Sequence, residues 1–195
     1  MAWLALVQWR VGRQRENLKR LPLRATTDTG KGTGMSEQDR YQALRASRLA
    51  AELTDEQCRT LAAKIEIRDL ANGELLVREG APDDRLFVIV SGALGVVRHP
   101  QGEPPVTLHT LVAGDFAGEL SFIDGTERYA SLEAHGPTRV FFLRREGLEE
   151  LLDKEPRIVY LVMRAIIRIA HNIQRRLSIQ SVELSNYIYK QHGRY

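Results

Sequence analysis

The chain has 195 residues, 43% of them hydrophobic and 27% charged, with a formal net charge of +3. This length predicts one full core with at most a small appendage. Residues 1–34 carry a net +5, which leaves −2 for the rest of the chain. A slightly acidic body argues against a DNA-binding face, which needs a clustered basic surface.

The single cysteine, Cys58, excludes an intrachain disulfide and fits the reducing cytoplasm. The helical pattern around it predicts a buried thiol. No apolar run is long enough to span a bilayer. The apolar stretch 2–9 is followed rather than preceded by basic residues, unlike a signal peptide. We therefore expect a cytoplasmic protein.

Residues 1–34 are expected to be a basic tail. Residues 1–24 have a basic amphipathic pattern, and residues 25–34 have the Gly/Thr composition of a flexible linker. One interpretation is a helix that binds a membrane surface or a partner. The favoured interpretation is a start-site error with Met35 as the true first residue, because the linker runs directly into that methionine.

Two helices are predicted within residues 35–65. Apolar residues recur at helical spacing from Ser36 to Leu53. Thr54 and Gln57 form the sequence pattern of a capping box, which predicts a second helix through about Lys64.

The apolar pattern changes to a period of two over residues 66–145. Short alternating runs are separated by Gly73, Gly80 and Gly92, and strand signals continue at 106–111, 129–134 and 139–143. Many short strands with Gly and Pro turns predict a β sandwich or barrel.

Residues 146–195 return to helical spacing. A short helix surrounds Leu148, and Pro156 begins a longer one. Its apolar positions continue to Ile188, which is more apolar surface than a lid over one domain needs. We therefore expect a homodimer through residues 158–188.

The most informative stretch is residues 118–131, Gly-Glu-Leu-Ser-Phe-Ile-Asp-Gly-Thr-Glu-Arg-Tyr-Ala-Ser. It places one acid, Glu119, and one arginine, Arg128, towards its two ends among small residues. An arginine offers a forked, permanently charged donor to phosphate oxygens. An acid can accept from a ribose hydroxyl. The pair therefore suits a cyclic nucleotide.

This stretch resembles the phosphate-binding cassette of the cyclic-nucleotide-binding domain family, which includes the catabolite activator protein and the regulatory subunits of protein kinase A. Residues 73–80, 84–92 and 111–115 resemble the family's turns and strands in the same order. The resemblance covers roughly residues 47–185. It implies an α+β fold: an antiparallel β jelly-roll barrel with N-terminal helices and a long C-terminal helix.

The resemblance also implies roles for the residues of the cassette. Arg128 would bind the phosphate, and Glu119 would accept from the ribose hydroxyl. Gly118 would let the backbone approach the sugar closely. Backbone N–H groups of Leu120, Ser121 and Ala130 would complete the ligand set.

The identity of the ligand depends on Tyr129. Many bacterial members carry Ser or Thr after the arginine, where the hydroxyl touches phosphate or a guanine amino group, whereas the kinase version carries Ala. The nine-residue separation of Glu119 and Arg128 also matches the kinase version. Together these features favour cAMP over cGMP. The alternatives are a degenerate, empty cassette on a dimeric scaffold, or a cyclic di-GMP sensor.

The stretch 175–181 resembles the helix segment through which the catabolite activator protein contacts adenine, in a different register. Gln180 and Ser181 are therefore candidate base contacts. The alternative is that they are polar positions on a dimer helix.

The sequence predicts neither an enzyme nor a metal site. The five histidines lack metal-ligand spacing, and there is no nucleophile–base pair, Walker loop or catalytic carboxylate pair. Residues 83–85, Asp-Asp-Arg, have the pattern of a turn with a local ion pair of little energetic value.

Only residues 186–195 follow the long helix, too few for a helix-turn-helix. We therefore expect a stand-alone, bacterial-style sensor that signals to an effector protein of unknown identity through its C-terminal helix. DNA and membranes are not expected partners.

Overall fold

The computed structural model describes residues 36–192, and the predicted basic tail lies outside this part. Helix α1, Glu37–Arg45, begins with a capping box between Ser36 and Asp39. It ends well before the predicted Leu53, since the Ser47 hydroxyl donates to the carbonyl oxygen of Leu44 at 2.6 Å. A 3₁₀ turn, Arg48–Ala50, follows. Helix α2, Asp55–Ala62, starts with the predicted capping box of Thr54 and Gln57.

Eight antiparallel strands form two four-stranded sheets. The first sheet has the order β1-β8-β3-β6, and the second has the order β2-β7-β4-β5. The strands are β1 Ile65–Leu70, β2 Leu75–Val77, β3 Arg85–Ser91, β4 Ala93–Arg98, β5 Val106–Val112, β6 Phe116–Ala117, β7 Ser131–Ala134 and β8 Thr138–Arg144. The sheets pack as a jelly-roll sandwich, which confirms the predicted fold, although they do not close into one barrel.

The two central strands of the first sheet, β3 and β8, are buried on both faces. On β3, Leu86 and Val88 pack in a cluster with the helices, whereas Phe87 and Ile89 pack in the cluster between the sheets. Such a strand has a continuous apolar run rather than alternation. The predicted strand is therefore confirmed at β3, and its second face is covered as well.

Helix α3, Glu119–Asp124, lies between β6 and β7. Two helices follow the sandwich: α4, Arg145–Glu149, and α5, Pro156–His192. The first turns of α5 pack on the helical cluster through Ile158, Val162 and Ile166. Further along α5, the side chains of Ile167, Ile179 and Val182 are exposed. No helix within residues 36–192 is both long enough and apolar enough to cross a membrane.

Candidate ligand-binding site

The cassette forms a short helix bounded by two glycines. Helix α3, Glu119–Asp124, has Gly118 before it and Gly125 after it, both with positive φ. Residues 126–130 then return to β7. Glu119 is thus the first residue of α3, and Arg128 lies four residues after the last residue of α3.

The main chain of Arg128 is fixed by the segment that precedes β3. Its N–H donates to the carbonyl oxygen of Ala81 at 3.1 Å, and its carbonyl oxygen accepts from the Gly80 N–H at 2.8 Å. The residue is only 4% exposed. An arginine so deeply buried needs partners, because an unpaired buried charge is costly.

The guanidinium of Arg128 has partners on only part of its surface. Nη2 donates to Asp83 Oδ1 at 3.1 Å and to the carbonyl oxygen of Arg85. The guanidinium carbon lies 5.4 Å from the centre of the Phe87 ring. Its Nε and Nη1 are buried without a hydrogen-bond partner among the described residues. A buried cation with two unpaired donor nitrogens is suited to receiving an anion.

The structure corrects the interpretation of residues 83–85 as a turn with a local ion pair of little energetic value. Asp83 does pair with Arg85, but its side chain is only 6% exposed and also pairs with Arg128, 45 residues along the chain. The sequence pattern showed the local pair and gave no sign of this distant partner. Asp83 is therefore part of the support of Arg128.

Burial and charge shift the pKa values of this pair. Burial alone would raise the pKa of the Asp83 carboxyl. Hydrogen bonds from Arg85 and the charge of Arg128 outweigh it, so the pKa lies below its usual value. Burial lowers the pKa of the Arg128 guanidinium, against the opposing attraction of Asp83 and Glu119. Both groups remain charged near neutral pH.

Gly118 allows the guanidinium of Arg128 to approach the main chain closely. A Cβ atom at Gly118 would lie 2.6 Å from the guanidinium carbon and would overlap Nη1. The close approach that this glycine permits in the structure is that of Arg128, and the approach of a sugar remains a prediction. Gly118 also has a φ of +82°, which side chains disfavour.

Glu119 and Tyr129 lie beside Arg128. Glu119 is partly exposed, and its carboxylate accepts no hydrogen bond from the residues whose side chains the structure describes. Tyr129 is 53% exposed. Partial desolvation of the phenol and the charge of Glu119 raise the pKa of Tyr129, and the charge of Arg98 partly offsets this increase. The partly exposed carboxylate of Glu119 and the exposed ring of Tyr129 are therefore accessible to a ligand.

The other predicted cassette residues differ in exposure. The side chain of Leu120 is exposed, and that of Ser121 is buried. Ala130 packs in the cluster between the sheets. Each of these residues is proposed to contribute its backbone N–H group, which does not depend on whether the side chain is exposed or buried.

Of the two candidate base contacts, the structure describes the side chain of Ser181 alone. The side chain of Gln180 lies outside the described part. Ser181 is exposed on α5, and no hydrogen bond joins it to the cassette among the described residues. Both residues remain predictions.

Arg145 is a residue of this region that sequence reasoning missed. Its Nε donates to the carbonyl oxygen of Phe122 at 2.8 Å, and its Nη2 donates to that of Ser121 at 2.6 Å. Nothing in the sequence around residue 145 signals a contact with the cassette. Within the described part of the chain, no group of three His, Cys, Asp or Glu side chains is placed to hold a metal.

Comparison with known proteins finds one family model and several solved structures that are similar to this chain. The family model of the cyclic nucleotide-binding domain matches residues 67–155. A solved cyclic nucleotide-binding domain from Methylobacillus flagellatus is 25% identical, with a TM-score of 0.65, covering 72% of this chain and 80% of that one. The catabolite activator protein of Thermus thermophilus is 27% identical, with a TM-score of 0.57, covering 73% of this chain and 64% of that one.

Curated relatives are much longer proteins. An uncharacterised NTE family protein of Mycobacterium tuberculosis is 28% identical over 130 residues, which is 67% of this chain and 22% of that protein. The chain thus spans about a fifth of the length of this relative. The similarity concerns one part of that protein.

Proposed function

We propose, from the premise that residues 67–155 form a cyclic nucleotide-binding domain, that the chain is a sensor whose ligand is cAMP. Domains of this family are generally regulatory rather than catalytic. The observation that carries the proposal is Arg128, a 4% exposed cation with two unpaired donor nitrogens beside Gly118.

The proposed binding mode uses donors and acceptors of the cassette. Nε and Nη1 of Arg128 bind the phosphate of the nucleotide, while Asp83 and the Arg85 carbonyl hold Nη2. Glu119 accepts from the ribose hydroxyl. Backbone N–H groups of Leu120, Ser121 and Ala130 are further donors, and Gln180 and Ser181 contact the base when α5 closes.

The preference for cAMP rests on Tyr129. A tyrosine does not place a short hydroxyl where the resemblance predicts a contact with a guanine amino group. Tyr129→Thr should therefore raise the affinity for cGMP relative to cAMP. An unchanged ratio of the two affinities would contradict this role of Tyr129.

The proposed output is a shift in the position of α5. Ligand binding favours whichever state of α5 binds the ligand more tightly, so the shift is limited by that difference in affinity. The exposed Ile179 and Val182 are the surface through which α5 pairs in a homodimer. The changed surface is read by an effector protein. The single cysteine is consistent with a cytoplasmic location.

The test is isothermal titration calorimetry of the full chain with cAMP, cGMP and cyclic di-GMP at one salt concentration. Micromolar or tighter binding of cAMP supports the proposal, and Arg128→Ala should cost about 2–5 kcal/mol of binding free energy. The matched control is Arg139→Ala, which removes an exposed arginine that pairs with Asp69. Equal affinity of the wild type and Arg128→Ala would refute the assignment of Arg128.

A dimeric scaffold with an empty cassette is the second candidate. It is favoured by one observation: Arg128 already has protein partners in Asp83 and the Arg85 carbonyl. A folded dimer that shows neither heat nor a nucleotide-dependent shift in melting temperature would establish this candidate over the first.

A further inference from the structure

Arg145 joins the cassette helix to the start of the C-terminal helices. Its guanidinium donates to two carbonyl oxygens of α3, those of Ser121 and Phe122, at 2.6 and 2.8 Å. The Phe122 carbonyl is in the last turn of α3, where carbonyl groups lack helical partners. A cation there also interacts favourably with the negative end of a helix. Arg145 therefore stabilises the C-terminal end of α3.

The position of Arg145 in the chain gives this contact a second consequence. Arg145 is the first residue of α4 and directly follows β8, a central strand of the first sheet. The chain continues from α4 to Pro156, where α5 begins. If α3 moves, the guanidinium of Arg145 therefore transmits this movement to the start of α4, where the C-terminal helices follow the sheet.

The other link between these elements is apolar. Phe122 of α3 packs in the same buried cluster as Leu148 and Leu151. Apolar contacts are non-directional, so side chains can slide against each other without losing them. Two charge-assisted hydrogen bonds from one planar guanidinium fix both distance and orientation. The polar link is the one that defines how α3 and α4 move together.

We infer that Arg145 is a positioning residue that couples ligand binding in the cassette to the C-terminal helices. The inference rests on the proposed function. Arg145 touches no proposed ligand atom and acts through α3. Its loss should weaken binding moderately and should uncouple α4 from the ligand.

The test is amide hydrogen exchange of the full chain with and without cAMP, in the wild type, Arg145→Gln, Arg145→Lys and Arg144→Gln. Arg144 is the matched control, because it is the adjacent arginine and pairs on the surface with Glu66. In the wild type and the Arg144 variant, cAMP should slow exchange in residues 119–125 and in residues 146–155. In Arg145→Gln, cAMP should still protect residues 119–125 but no longer residues 146–155, with affinity lowered about fivefold.

Arg145→Lys retains the charge without the fork, and protection of residues 146–155 should be intermediate. This variant also decides the question if Arg145→Gln does not fold. Wild-type protection of both segments in the Arg145 variants would overturn the inference and leave the proposed function intact. A wild type that does not bind cAMP overturns the proposed function itself, and the inference with it.

Discussion

Gly118→Ala tests whether the Arg128 guanidinium is packed against the main chain of the cassette. The new Cβ atom would lie 2.6 Å from the guanidinium carbon, so the side chain must move. Movement breaks the buried contact with Asp83, at a cost of about 3–5 kcal/mol. The positive φ adds about 1–2 kcal/mol for a residue with a side chain.

The control for this substitution is Gly102→Ala. Gly102 also has a positive φ, +75°, but no heavy atom lies within 4 Å of its Cβ position. Gly102→Ala should therefore lose only the stability that a side chain at positive φ costs. Urea denaturation without ligand should show Gly118→Ala to be less stable than Gly102→Ala by about 3 kcal/mol or more.

The reasoning is refuted if both variants lose the same free energy of unfolding. A double-mutant cycle adds a second check. In an Arg128→Ala background the clash is gone, so Gly118→Ala should cost little more than Gly102→Ala. If Gly118→Ala costs as much in the Arg128→Ala background as in the wild type, the new Cβ atom does not clash with the Arg128 side chain.

Three further predictions concern the site, its support and the dimer. Asp83→Asn should lower the free energy of unfolding by about 3 kcal/mol at pH 7. Because the folded pKa of Asp83 lies below the unfolded value of about 3.9, the wild-type advantage should be constant from pH 7 to 5 and shrink only below about pH 4. Urea denaturation across this range measures it, and an advantage already lost by pH 5 would contradict it. Ser131→Ala removes the acceptor of the partly buried Glu79 N–H, at 2.9 Å, and should cost about 1–3 kcal/mol. The control Ser178→Ala, on an exposed helical position, should cost less than about 0.5 kcal/mol. Ile179→Glu with Val182→Glu should yield a monomer in sedimentation velocity. Leu152→Glu, equally exposed but outside α5, should not, and a dimer in both cases would refute pairing through this surface.

The parts of the fold that the sequence predicted depend on local patterns. The capping box of Thr54, the glycine turns between strands and the start of α5 at Pro156 each involve residues a few positions apart. Such signals survive in any tertiary context because their physical cause lies within the segment.

The support of Arg128 could not be predicted, because its partners are distant in the chain. The Asp83 contact spans 45 residues, and the Arg145 contacts with α3 span 23 and 24. The sequence alone does not show which partner an acid in a turn or an arginine at a strand end will contact. The packing of the two sheets and α4 determines the contacts described here. The same holds for β3, whose continuous apolar run acquires its meaning once both of its faces are known to be covered.

Because β3 is covered on both faces, its residues fall into two alternating sets, one for each face. Phe87 and Ile89 face the cluster that contains Ala130, and Leu86 and Val88 face the cluster that contains the first turns of α5. Saturation mutagenesis of this strand should therefore give phenotypes that alternate from one residue to the next. Mild substitutions at one set should alter nucleotide affinity, and those at the other should alter the output at constant affinity. Substitutions in one strand would then change ligand binding and the response to the ligand separately.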